Sequence, residues 1–142
     1  MNRVRYEDDV AAWAEEQASL LRAGEVDGLD REHLAEEIES VGARERRELR
    51  RRLARLLQHL LKWHYQPELR NRSWATTIRV QRAEIRALLQ DSPSLHPRIP
   101  ELLPGAYRLA VLWAAEETGV LKLPDDCPWT VEQALAEEFL PE

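Results

Sequence analysis

Residues 30–67 read DREHLAEEIESVGARERRELRRRLARLLQHLLKWHYQP. No proline occurs before Pro67, and Gly42 is the only glycine. Asp30 has the short acceptor side chain of a helix N-cap, and Pro67 stops a helix while pushing Gln66 toward extended backbone. The stretch predicts one helix from about Arg31 to Tyr65, roughly 50 Å long at 1.5 Å per residue. A break at Gly42 is the alternative. Leu34, Ile38 and Val41 form an early apolar row; Leu49, Leu53, Leu56, Leu57, Leu60 and Leu61 form a later one. Between them the row lapses, and Glu45 points the same way as Ile38 and Val41. A carboxylate on an inward face needs a partner, and an arginine is expected.

The flanks read as helix too. Val10, Trp13, Ala14, Gln17, Leu20 and Leu21 keep helical spacing, predicting a first helix from about Glu7 to Ala23 with Gly24 as its stop. Ser73 is the expected N-cap of a third helix, Trp74 to about Gln90, with Arg79, Arg82 and Arg86 as a charged row. Asp91 to Ser94 is a turn. A fourth helix has Ile99, Leu102, Leu103, Ala106, Ala110, Trp113 and Ala114 at helical spacing, ended by Gly119. Pro97, Pro100 and Pro104 crowd its start, so regular helix begins near Leu103 or an earlier turn is kinked. Lys122 to Trp129 should be extended. Thr130 and Gln133 form a capping box for a last helix, Val131 to about Glu138, with Phe139 and Leu140 pinning the end. The expectation is all-α: an antiparallel bundle of four main helices, one a long spine, plus a short C-terminal helix, making a single helical domain over residues 1–142.

Composition agrees with that vocabulary. Ala, Leu, Glu and Arg dominate, and 44% apolar with 32% charged residues suits a folded chain rather than a disordered one. No run of about 18 apolar residues offers a membrane span, the N-terminus lacks the apolar core of a signal peptide, and Cys127 is the only cysteine. A cytoplasmic location is expected. The net charge of −6 conceals a partition. Residues 44–86 hold 13 Lys and Arg against 4 Asp and Glu, whereas residues 1–43 carry a net −8 and residues 87–142 a net −7. Such a basic segment is either a nucleic-acid footprint or a hairpin set between acidic helices of its own chain, and overall acidity favours the second.

Nucleotide-binding and nucleophile motifs are absent, so no cofactor is expected. His33, Glu36 and Glu37 have the spacing of a carboxylate-bundle metal half-site, but a second Glu-x-x-His is missing and no metal is expected. The densest polar cluster lies between Gln58 and Trp74. His59, Trp63, Arg70, Arg72 and Trp74 are its candidate binding residues, because indole faces beside cations can grip a partner, stack bases or hold phosphate. In the bland reading Trp63 and Trp74 close a helix corner, His64 is a core histidine bonded to a carbonyl, and Arg70 and Arg72 bind the carbonyls ending the long helix. Arg52 and His59 also match the arginine–histidine spacing of helical, metal-independent ribonucleases of the HEPN type, a spacing that an arginine-rich helix meets easily by chance.

Several stretches together resemble a known family. They are Tyr6-Glu7-Asp8-Asp9 with Trp13, Leu34 to Glu39, His59 to Trp63, Gln66-Pro67-Glu68, Ser73-Trp74, Asp91 to Leu95, Glu116 to Gly119 and Cys127 to Thr130. From Tyr6 to Pro141 the chain resembles the bacterial all-helical domain-of-unknown-function family 29. The resemblance implies a helical bundle and a bacterial source, and it brings no catalytic residues. Pro100 and Pro104 depart from the pattern. The functional expectation is a non-enzymatic module for an unknown protein partner, with a homodimer as one form. RNA binding or HEPN-like cleavage by the basic segment is the alternative, and no membrane association is expected.

Overall fold

The computed structural model describes residues 3–119 and 122–142. The helices are α1 (Val10–Ala23), α2 (Arg31–Tyr65), α3 (Arg72–Asp91), α4 (Ile99–Thr118) and α5 (Val131–Leu135), joined by 3-10 turns at Val26–Gly28, Pro67–Leu69 and Pro93–Arg98. No strand occurs among the described residues, and the fold is all-α. No helix of the described residues is long and apolar enough to cross a membrane. Two compact units divide the chain, Met1–Arg44 and Glu45–Glu142.

The first unit is a helical hairpin. Asp9 caps α1 by accepting from the Ala12 amide at 3.0 Å, so the helix starts at Val10 rather than Glu7. Gly24 ends it at φ 74, the left-handed conformation that a residue with a Cβ resists. Tyr6 reaches Glu37 while Trp13 and Gln17 reach Asp30, so α1 runs antiparallel to the start of α2. Trp13 and Leu20 are its buried apolar residues. Leu34 is half-buried, but Ile38 and Val41, expected inside, are 70% and 57% exposed. The N-terminal segment makes its last hydrogen bond to α2 at Glu37, one residue short of Ile38.

The second unit packs around the later half of α2. Leu49, Leu53, Leu56, Leu57, Leu60 and Leu61 are all inaccessible, as expected. Ile78 and Ile85 of α3, Leu95 and Ile99 close on them, as does the Ala106, Ala110 and Ala114 row of α4. Alanines opposite leucines let two helices approach closely while keeping the interior filled. The third helix begins at Arg72, not Trp74, because the Asn71 side chain takes the Trp74 amide at 2.9 Å; asparagine caps as well as the expected Ser73. α4 begins at Ile99, directly after a 3-10 turn that absorbs Pro97. Pro100 sits in the first turn, where no amide is needed, and Pro104 lies inside the helix at a cost of about 3 kcal/mol. The capping box of Thr130 and Gln133 is present, but α5 stops at Leu135.

Of the two residues expected to hold the C-terminal segment, Phe139 is half-buried. Leu140 is 41% exposed, and Arg82 makes the attachment. The residue is 3% exposed, and its guanidinium donates to the carbonyls of Ala134 (2.8 Å), Glu137 (3.3 Å) and Phe139 (2.8 Å). Arg82 therefore leaves the charged row with Arg79 and Arg86 in which its spacing placed it.

Candidate functional site

The C-terminal turns of α2 carry a buried polar arrangement. His59 is 8% exposed, and its Nδ1 lies 3.0 Å from the Arg55 carbonyl. A carbonyl only accepts, so Nδ1 bears the proton. Burial lowers the His59 pKa from 6.5, the Lys62 charge adding to the effect, and the ring is neutral near pH 7. One turn on, Lys62 is 7% exposed. Its ammonium donates to Glu117 of α4 at 2.6 Å and lies 4.7 Å from the centre of the Trp74 ring. That hydrogen bond holds the Glu117 carboxyl below its ordinary range. Burying an ammonium this deep carries a desolvation cost that the Glu117 carboxylate and the Trp74 ring face offset.

Arg70 closes the other side. Its Nε donates to the Trp63 carbonyl at 2.7 Å, satisfying one open carbonyl at the end of α2, and its guanidinium stands 5.1 Å from the Trp63 ring centre. A longer contact of 3.5 Å reaches the Pro141 carbonyl. The structure thus gathers His59, Trp63, Arg70 and Trp74 around one helix end, each engaged within the chain. Arg72 is exposed on the first turn of α3, with no partner among the described residues. His64 departs from its expected role. The His64 ring meets Tyr65 and Trp129 edge-on, and its buried Nδ1 has no hydrogen-bond partner among the described residues; His59 makes the carbonyl bond instead. Gln66 donates to the Thr118 carbonyl at 3.4 Å. Glu45 is half-buried, and no ion pair joins it among the described residues.

The basic segment divides. Arg51 and Arg52 reach Glu48, and Arg86 reaches Glu137. Arg55 lies over Trp113 at 4.7 Å. Arg44, Arg46, Arg47, Arg50, Arg72 and Arg79 show no partner among the described residues. Arg52 is bound to Glu48 at 3.0 Å, and His59 is 8% exposed with its Nδ1 on the Arg55 carbonyl.

The hairpin holds a second network that spacing alone did not reveal. Asp30 caps α2 and accepts from the Trp13 indole at 3.0 Å, while its other oxygen accepts from the His33 amide at 3.3 Å. Its amide donates to buried Gln17 at 2.8 Å. His33 Nδ1 sits 2.7 Å from Asp30, and the ring stacks on Tyr6 at 4.1 Å. The Asp30 hydrogen bond raises the His33 pKa above 6.5. Partial burial works to raise the Asp30 pKa, but the hydrogen bonds from His33 and Trp13 outweigh it and the carboxyl lies low. Tyr6 donates to Glu37 at 2.5 Å. No three His, Cys, Asp or Glu side chains converge as metal ligands among the described residues.

Around this network the hairpin leaves much apolar surface open. Val10, Leu21, Val26, Ile38 and Val41 are 49–70% exposed. The chain as a whole matches the family described as domain of unknown function DUF29 over residues 5–140, and it belongs to that family. No curated protein and no solved structure matches it.

Proposed function

We propose that this DUF29 chain is a non-enzymatic protein-interaction module and that its N-terminal hairpin is the docking element. The observation that carries the reading is the imbalance of apolar surface within residues 1–44. Among the described residues there, two apolar side chains, Trp13 and Leu20, are buried, while five large ones are about half exposed or more. A helical pair this short buries too little to be well stabilised alone. Covering Ile38 and Val41 contributes on the order of 1–2 kcal/mol each. The aromatic and cationic residues between His59 and Trp74 support the same choice from the other side. Most of them are engaged within the fold, so we move the recognition surface from that cluster to the hairpin. We take residues 1–142 as one functional domain whose two compact units share α2, in the bacterial, cytoplasmic setting that the family resemblance and the single thiol imply.

The test is affinity capture with the full chain, comparing wild type, I38E/V41E and W63A/R72A. The hairpin variant should lose specifically captured protein, and the cluster variant should keep it. Equal capture by wild type and I38E/V41E removes the reading. RNA binding stays as a second reading on one observation, the six arginines of the basic segment without partners. It predicts affinity that collapses with added salt, and a flat RNA titration at low ionic strength eliminates it.

A further inference from the structure

α3 presents a second open face. Beside the C-terminal segment lies a cleft of about 430 Å³ lined by Thr76, Arg79, Val80, Ala83, Arg86 and Glu137. Thr76, Val80 and Ala83 follow the i, i+4, i+7 row of one helix face and form an apolar floor, with Val80 46% exposed. Arg79 and Arg86 stand at its edges. Arg79 is exposed and unpartnered among the described residues, and Arg86, its side chain 52% exposed, reaches Glu137 only at 3.7 Å. A small inorganic anion is a poor match for this floor, since most of the surface it covers is apolar and Glu137 shares the rim. The chemistry that suits it is an apolar helix face on a strongly acidic body.

The hairpin of this chain has that chemistry. Residues 1–43 carry a net −8, and Ile38 and Val41 stand one helical turn apart at 70% and 57% exposure. With Arg44 the hairpin carries a net −7, and two hairpins facing each other oppose −7 with −7, so charge turns the hairpin away from its own kind and toward a cationic acceptor. Resting on the reading of the hairpin as the docking element, we propose that its occupant is a second copy of this chain. Ile38 and Val41 of one copy seat on the Val80 floor of the other, and the acidic hairpin lies against Arg79 and Arg86. The contact joins unlike surfaces, the hairpin of one copy and the α3 cleft of the other.

Sedimentation velocity of the full-length chain tests this with two variants, I38E/V41E and R79E/R86E. All four positions but Ile38 and Val41 lie outside the hairpin, and all four are exposed; circular dichroism checks that each variant keeps its helix content. Wild type should associate, with association weakening as salt screens the charges. Each variant alone should sediment as a monomer. An equimolar mixture of the two should associate again, more weakly than wild type, because one intact hairpin still meets one intact cleft. A wild-type chain that stays monomeric at every concentration overturns the proposal, as does a mixture that stays apart while wild type associates. If wild type is monomeric and I38E/V41E still abolishes capture of a foreign protein, the hairpin remains the docking element and only the second copy falls.

Discussion

The Lys62 ammonium lies 2.6 Å from the Glu117 carboxylate, although 55 residues of chain separate the two and the lysine side chain is only 8% exposed. Glu117 is half-exposed, so water softens the pair on one side. Losing one partner leaves the other unbalanced, whereas losing both removes a desolvation cost along with an attraction. E117A should cost about 1–3 kcal/mol, and the double variant K62M/E117A should cost less than the two single changes combined. Urea denaturation of the four chains measures the coupling.

The same pair sets an acid limit. A carboxyl whose folded pKa is depressed contributes stability that is complete above its unfolded value, 4.5, and is lost as pH falls through the folded value. E117Q should flatten the fall in denaturation midpoint on the acid side of 4.5 and leave the slope above it unchanged.

His33 and His59 should respond to pH in opposite senses. The His33 pKa is raised in the fold, so its contribution is complete below 6.5 and fades as pH rises through the folded value. The His59 pKa is lowered, so its contribution is complete above 6.5 and fades as pH falls through the folded value. NMR titration should place the His33 imidazole above 6.5 and the His59 imidazole below it. H33F, which keeps a ring against Tyr6 but carries no proton, should abolish the first dependence and spare the second.

Arg82 offers a test of the C-terminal attachment. R82M keeps much of the buried stem and deprives three carbonyls of their donors. Hydrogen bonds to charged groups contribute roughly 1.5–3 kcal/mol each, far from additively, so a loss of about 3 kcal/mol is expected. R82K should recover part of it. In both variants carboxypeptidase should release the last residues faster than from wild type.

The two halves of α2 should answer truncation differently. L57A, at a fully buried site, should cost about 2–5 kcal/mol, whereas I38A, 70% exposed, should stay within about 0.5 kcal/mol. Thermal denaturation of both distinguishes them directly.

These features were unequally legible in the sequence. The long helix was readable end to end because Asp30, Pro67 and the absence of proline between them are local signals. The leucine row from Leu49 to Leu61 was readable for the same reason. Ile38 and Val41 show where periodicity stops informing: it assigns residues to a face, but burial depends on whether another element covers that face. The Lys62–Glu117 pair and the Arg82 attachment join residues 52–57 apart, so nothing in their spacing announces them. Hydrophobic patterning sends cations to solvent by default. It therefore misplaced Arg82, whose guanidinium found enough carbonyls to go inside. In the cluster around His59, the carbonyl bond expected of His64 belongs to His59.

Among the described residues, the hydrogen bonds from Arg82 to the C-terminal segment all go to main-chain oxygens, and a main chain is the same for nearly every amino acid. The clamp is blind to side-chain identity. Residues 136–140 are therefore free to drift among relatives as long as the path of the backbone survives, and variability there should coexist with strict retention of the arginine that reads it.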